Sequence, residues 1–155
     1  MRSDELNRFL LFRGLTPAQR ADLAPLFSPV TFAERETIFA QGAPAKRVYV
    51  LEAGKVALQF QPEDGERLAV ATLHQESVFG WSAILGRPYY TSSAVCVAPS
   101  RTITVPGEKL RALIRSQPEL SIILGRMALE VADRQTDALS QIITLINKEM
   151  TYAPA

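Results

Sequence analysis

The chain has 155 residues, 47% apolar and 21% charged, with a net charge of +1, which fits one globular domain with a sizeable core. So small a charge supplies no basic field for nucleic acid or an anionic membrane. Cys96, the one cysteine, excludes an intramolecular disulfide, and His74, the one histidine, has no partner at metal-ligand spacing for a zinc site.

Met1-Arg2-Ser3-Asp4-Glu5-Leu6 places acidic residues where a signal peptide needs an apolar core, and no apolar run reaches the length of a membrane span. A cytoplasmic chain with no membrane association is expected. Residues 4–12 carry apolar positions at helical spacing behind an acidic start, and Gly14 stops them. Thr16 then caps a second helix with Pro17 at its first position, and Leu23, Leu26 and Phe27 form its apolar side up to Pro29.

From Val30 the period changes to two. Strands are predicted at Val30 to Phe32, Thr37 to Phe39, Val48 to Glu52, Lys55 to Phe60, Arg67 to Leu73, Val78-Phe79, Ser92 to Val97 and Arg101 to Val105. Turn residues separate them at Ala33 to Glu36, Gln41 to Pro44, Ala53-Gly54, Pro62 to Gly65 and Ala98 to Ser100. The charges Glu34, Arg35 and Glu36 read as a solvated turn. About eight short strands spaced in this way predict an antiparallel barrel or jelly roll. Cys96 falls within an apolar alternation and reads as a buried structural thiol.

Helical spacing returns after Pro106, with Leu110, Leu113 and Ile114 on one side of a short helix. Pro118 then opens a long run to about Lys148, interrupted only by Gly125. Leu124, Ala128, Val131, Gln135, Ala138, Ile142 and Leu145 alternate at spacings of three and four, with Leu139, Ile143 and Ile146 in a second row. Packing on the chain's own barrel would cover part of such a helix, and the sequence favours self-association through its distal half. Gln135 either fixes the register of that seam or marks where the helix leaves the barrel. The expected division is residues 1–29 for the N-terminal helices, 30–106 for the barrel and 107–150 for the C-terminal helices.

Three local patterns carry a resemblance. Arg35-Glu36-Thr37-Ile38-Phe39-Ala40-Gln41-Gly42-Ala43 is similar to a strand and turn of the form G-E-x-I-F-x-x-G-D. Val48-Tyr49-Val50-Leu51-Glu52-Ala53-Gly54-Lys55-Val56 is similar to Y-x-I-x-x-G-x-V, with Gly54 turning the chain between strands. The third is Phe79-Gly80-Trp81-Ser82-Ala83, which leads through Gly86-Arg87-Pro88 into Tyr89-Tyr90-Thr91-Ser92-Ser93. In this order and spacing, from Phe9 to the long helix, they resemble the cyclic nucleotide-binding domain. That domain is the sensor module of the Crp/Fnr regulators, also found in cyclic-nucleotide-dependent kinases and channels.

The resemblance implies a mainly β fold, an antiparallel double-stranded β-helix (jelly roll) with short N-terminal helices and a long C-terminal helix of the dimerisation type. It places the third pattern at the family's phosphate-binding cassette, roughly F-G-E-(L/A)-A-L followed by P-R-x-A-T/S. There a helix N-terminus and an arginine hold the phosphate, and the glutamate accepts from the ribose hydroxyl. The implied ligand-binding positions are Phe79, Gly80, Trp81, Ser82, Ala83, Tyr90, Thr91 and Ser92. The implied occupant is a cyclic nucleotide (cyclic AMP or cyclic GMP) or another small ligand.

Two departures matter. Trp81 stands at the glutamate position, and an ungapped alignment puts Tyr90 at the arginine position; a one-residue shift would put Tyr89 there. Arg87 precedes the proline and is expected to point out of the turn. A phenol cannot reproduce the charge-assisted, bidentate grip of arginine. Losing one buried ionic hydrogen-bond partner costs on the order of 2–5 kcal/mol, so affinity for cyclic AMP should fall about thirtyfold or more. Trp81 either offers a stacking platform or plugs the pocket. Tyr89 and Tyr90 either face a ligand or pack in and on the strand. Thr91, Ser92 and Ser93 are either phosphate ligands or small polar residues of a half-exposed strand.

No nucleophile–base pair, paired carboxylates or Walker-type pattern is present in the sequence, so catalysis is not expected. No winged helix-turn-helix follows the long helix, so no DNA-binding element is expected. What remains is a stand-alone sensor or regulatory domain, dimeric through its C-terminal helix, that does not bind cyclic AMP in the usual way. The alternative is a ligand-free interaction module whose pocket Trp81 closes.

Overall fold

Apolar residues begin to organise the chain at its first turns. In the computed structural model, which describes the backbone of residues 1–152 and side chains up to Arg134 with those of Ile143 and Asn147 beyond it, two 3₁₀ turns occupy Ser3–Arg8 and Leu10–Phe12. The helical spacing of residues 4–12 is thus split by an extended Phe9. The split lets Leu6, Phe9, Leu11 and Phe12 all enter one core. Helix α1 (Pro17–Leu23) starts on a reciprocal capping box. Thr16 Oγ1 accepts from the Gln19 N–H at 3.1 Å, and Gln19 Oε1 accepts from the Thr16 N–H at 2.9 Å.

Eight strands follow: β1 (Ser28–Phe32), β2 (Thr37–Phe39), β3 (Arg47–Ala53), β4 (Val56–Phe60), β5 (Leu68–Leu73), β6 (Val78–Phe79), β7 (Ser93–Cys96) and β8 (Ser100–Pro106). β1 begins two residues before Val30 and includes Pro29. This is tolerated because β1 is an edge strand, with one side free of the ladder. The strands form two antiparallel four-stranded sheets, ordered β1-β8-β3-β6 and β2-β7-β4-β5, a jelly-roll arrangement. Gly54 makes the β3–β4 turn at φ +106°, where a Cβ would lie 2.4 Å from Ser100 Oγ and 2.6 Å from the Pro99 carbonyl. Only glycine fits both the backbone angle and the space.

β3 shows how one strand serves two cores. Its alternate residues Tyr49 and Leu51 enter the space between the sheets with Phe39, Val56, Leu58, Leu73, Phe79, Tyr90 and Cys96. Val48 and Val50 turn outward, onto a second core shared with the helices. Both faces of β3 are buried, which is why it reads as a continuous apolar run. Cys96 is 1% exposed and unpaired.

Three helices complete the second core. α2 (Trp81–Ile84) lies between β6 and β7, α3 (Gly107–Ser116) buries Leu110 and Ile114, and α4 (Ser121–Tyr152) runs out of the barrel. Leu120, Ile123, Met127 and Val131 form the row that docks the α4 end of the chain, together with Leu124 packed at the margin. Each fully buried aliphatic in such a row contributes about 1.5–3 kcal/mol. Val131 and Leu124, expected in a dimer seam, therefore face the chain's own barrel, while Ala128 is exposed. The distal seam positions Gln135, Ala138, Ile142 and Leu145 lie outside the described side chains. No helix among the described residues is long and apolar enough to cross a membrane.

Candidate functional site

Gly80 ends β6 and begins α2. Its φ of +79° is left-handed, and a Cβ there would lie 2.7 Å from the Arg47 carbonyl. That close approach presses the start of α2 against β3 and aims Trp81 and Ser82 across the mouth of the barrel. The loop after α2 returns through Pro88 and Tyr89 to β7, with Ala45 N–H donating to the Pro88 carbonyl at 3.0 Å. Between these two stretches lies a cavity of about 380 Å³. Gly80, Trp81 and Ser82 line one side, and Tyr90, Thr91 and Ser92 another. Phe39, Leu58, Phe60, Val70 and Ala71 form its apolar wall, and Arg134 reaches it from α4.

Six of the eight expected ligand-binding positions thus converge on one cavity, and two do not. Phe79 is fully buried in the barrel core, stacked on Tyr49 with ring centroids 5.3 Å apart. Ala83 is buried in the helical core beneath α2. Both support the site from behind.

Tyr90 also differs from a ligand contact. Its ring lies 3.8 Å from that of Phe39, stacked at 14°. Its hydroxyl donates to the Arg47 carbonyl at 2.7 Å and accepts from the Arg47 N–H at 3.0 Å. Burial raises the phenol's pKa above its ordinary value, opposed by that N–H bond. Tyr90 lines the cavity, and its hydroxyl is a brace between the loop before β7 and β3. Tyr89, the alternative candidate, is 59% exposed and outside the cavity lining. Arg87 is exposed, as its place before the proline implies. Ser93 Oγ accepts from the Gln41 N–H at 2.8 Å, a strand-to-turn tie.

Trp81 is half-buried: one side packs on the helical core, and the residue lines the cavity. The cavity stays open beside it. No carboxylate stands among the described lining residues, and their one charge is Arg134. The Arg134 side chain is 16% exposed, and burial lowers its pKa, with the Glu130 charge opposing. Arg134 Nη1 donates to the Val78 carbonyl at 2.6 Å and to Glu130 Oε2 at 3.1 Å. Glu130 Oε2 also accepts from the Val78 N–H at 2.8 Å.

Arg134 and the apolar wall were missed in the sequence. The signal was there for Arg134: it extends the Leu120, Ile123, Met127, Val131 row by one turn and stands four residues after Glu130. The wall residues sit on β2, β4 and β5, and nothing local distinguishes a cavity-facing Leu58 from a core one.

Comparisons with known proteins agree with this architecture. The family model of the cyclic nucleotide-binding domain matches residues 29–117. The CRP-like cAMP-activated global transcriptional regulator of Mycobacterium tuberculosis is 30% identical over 138 residues, covering 89% of this chain and 62% of the relative. The global nitrogen regulator of a Nostoc species is 37% identical, covering 80% of this chain and 56% of the relative. The chain thus spans about three-fifths of the length of these relatives. Among solved structures, the catabolite activator protein of Thermus thermophilus superposes with a TM-score of 0.69 at 27% identity, covering 90% of this chain and 64% of that one. A cyclic nucleotide-binding domain from Methylobacillus flagellatus shares the fold with a TM-score of 0.77 at 15% identity, covering 91% and 80%.

Proposed function

The chain belongs to the cyclic nucleotide-binding domain family, and from that premise we propose that it is a sensor or regulatory domain with the barrel cavity as its ligand site. The observation that carries this reading is the open cavity at the cassette, lined by Gly80 to Ser82 and Tyr90 to Ser92. Its size fits a small molecule, and its walls combine an apolar face with a few polar groups. The family's paired glutamate and arginine are replaced by Trp81 and Tyr90, and the Tyr90 hydroxyl is committed to β3. Cyclic AMP and cyclic GMP therefore bind without the family's ionic grip, or yield the site to a different small ligand.

A ligand held here would act on α4. Arg134 belongs to both the cavity wall and the helix, and it bonds to β6 beside the cassette. Two copies would meet through the outward row of α4, where Ile122, Leu129 and Ile143 are 47%, 66% and 50% exposed at multiples of the heptad. This row also supports the second reading, an interaction module that works without a ligand.

Trp81 is the only tryptophan and reports directly on the cavity. Titration of the protein with cyclic AMP and cyclic GMP should leave Trp81 fluorescence without a saturable change at micromolar concentration, with a response only at far higher nucleotide. Saturation at micromolar nucleotide would show that the altered cassette still grips in the usual way. No response to any nucleotide would favour the interaction module.

A further inference from the structure

The cavity has lost the arginine that its family places on the strand after the cassette, yet it still contains a guanidinium, contributed from the opposite direction. We infer that Arg134 of α4 is the cavity's anion contact, held between uses by Glu130 and the Val78 carbonyl, so that the site selects ligands bearing a phosphate or other small anionic group. This rests on the reading of the cavity as a ligand pocket.

Three observations converge. Arg134 lines the cavity beside Trp81, Ser82, Thr91 and Ser92, so the one charged residue among the described lining residues shares the cassette's space. It is mostly buried, where an ionic hydrogen bond is worth more than at the surface, so that an anionic ligand gains more from it than a neutral one and a cationic ligand is repelled. Its described bonds are both made by Nη1, to a carbonyl and to a single carboxylate oxygen. Glu130 is itself shared, because the same Oε2 accepts from the Val78 N–H. An anion in the cavity would compete with Glu130 for Arg134, and Glu130 would retain its backbone donor when Arg134 turned away. The carboxylate is therefore an internal stand-in for the ligand's charge.

The competition gives opposite signs for two neighbouring substitutions, which a purely structural brace would not. The full chain and its Arg134→Gln, Arg134→Lys and Glu130→Gln variants would be titrated with cyclic AMP, adenosine and inorganic pyrophosphate from micromolar to millimolar concentration. Trp81 fluorescence is the readout, and circular dichroism checks the fold. The expected result is that the unsubstituted chain prefers cyclic AMP over adenosine at least tenfold. Arg134→Gln should erase that preference, Arg134→Lys should keep part of it, and Glu130→Gln should tighten cyclic AMP binding severalfold. If Arg134→Gln does not fold, the sign of the Glu130→Gln change decides alone.

A preference that survives Arg134→Gln, or weaker binding in Glu130→Gln, overturns the inference while leaving the cavity a ligand site. A pyrophosphate response lost in Arg134→Gln, with no response to cyclic AMP or adenosine, supports Arg134 and sinks the nucleotide reading. Silence toward all three probes removes both.

Discussion

Tyr90 gives its hydroxyl to Arg47 twice, once as donor and once as acceptor, and so joins the loop before β7 to β3 at a part-buried point. Tyr90→Phe would leave an N–H and a carbonyl with no partner, at a cost of about 1–3 kcal/mol. Urea unfolding should show that loss, and the Trp81 response to nucleotide should be unchanged. An unaltered unfolding midpoint would mean that the hydroxyl is not a brace. Glu76 is a second residue with a definite signature. It sits at φ +75°, its carboxylate accepts from the Leu10 N–H at 3.1 Å, and burial raises its pKa above the ordinary 4.5. A raised carboxylate pKa means the fold disfavours the charged form. The penalty is fully present at neutral pH and is relieved as pH falls through the raised value toward 4.5. Glu76→Gln should therefore be as stable as the parent or more so at pH 7, with the difference shrinking in thermal melts as the pH is lowered through the acidic range. An advantage that grows on acidification would reverse the assignment.

Helix α4 is apolar on two faces, and this explains what could and could not be read of it. Periodicity fixes the angle between Leu124, Val131 and their neighbours on a helix, but it does not say which row meets the barrel. The structure gives that row to the chain's own core, through Ile123, Met127 and Val131, and turns Ile122 and Leu129 outward. Gly125 lies between those two, and a Cβ at that position would meet nothing within 4 Å, so a second helix could approach closely there. Self-association is expected through the distal half of the helix, whose seam positions lie outside the described side chains, and the exposed Ile122, Leu129 and Ile143 row is the face we propose for it. Sedimentation can separate the two faces. Leu129→Asp should give a folded monomer, whereas Val131→Asp should lose the fold, because it buries an unpaired charge. A Leu129→Asp variant that stays dimeric would place the contact elsewhere.

For the whole molecule, the double sheet was legible because its strands alternate, its turns carry Gly, Pro and charged residues, and Gly54 and Gly80 stand where only left-handed backbone fits. The cassette stretch was legible for the same reason, and Gly80, Trp81, Ser82, Thr91 and Ser92 do meet at one cavity. Long-range convergence was not legible. Arg134 lies more than forty residues along the chain from the cassette, and only the docking of α4 on β6 brings it there. Likewise, nothing around Tyr90 in sequence shows that its hydroxyl will find Arg47 rather than a ligand. The central claim, that this cavity is a ligand site stripped of the family's ionic grip, is tested most directly by amide chemical shifts of the labelled chain during titration with cyclic AMP. The expected shifts centre on Gly80, Trp81, Ser82, Thr91 and Ser92 and saturate only at millimolar nucleotide. Saturation at micromolar nucleotide, or shifts that leave these five residues untouched, would contradict it.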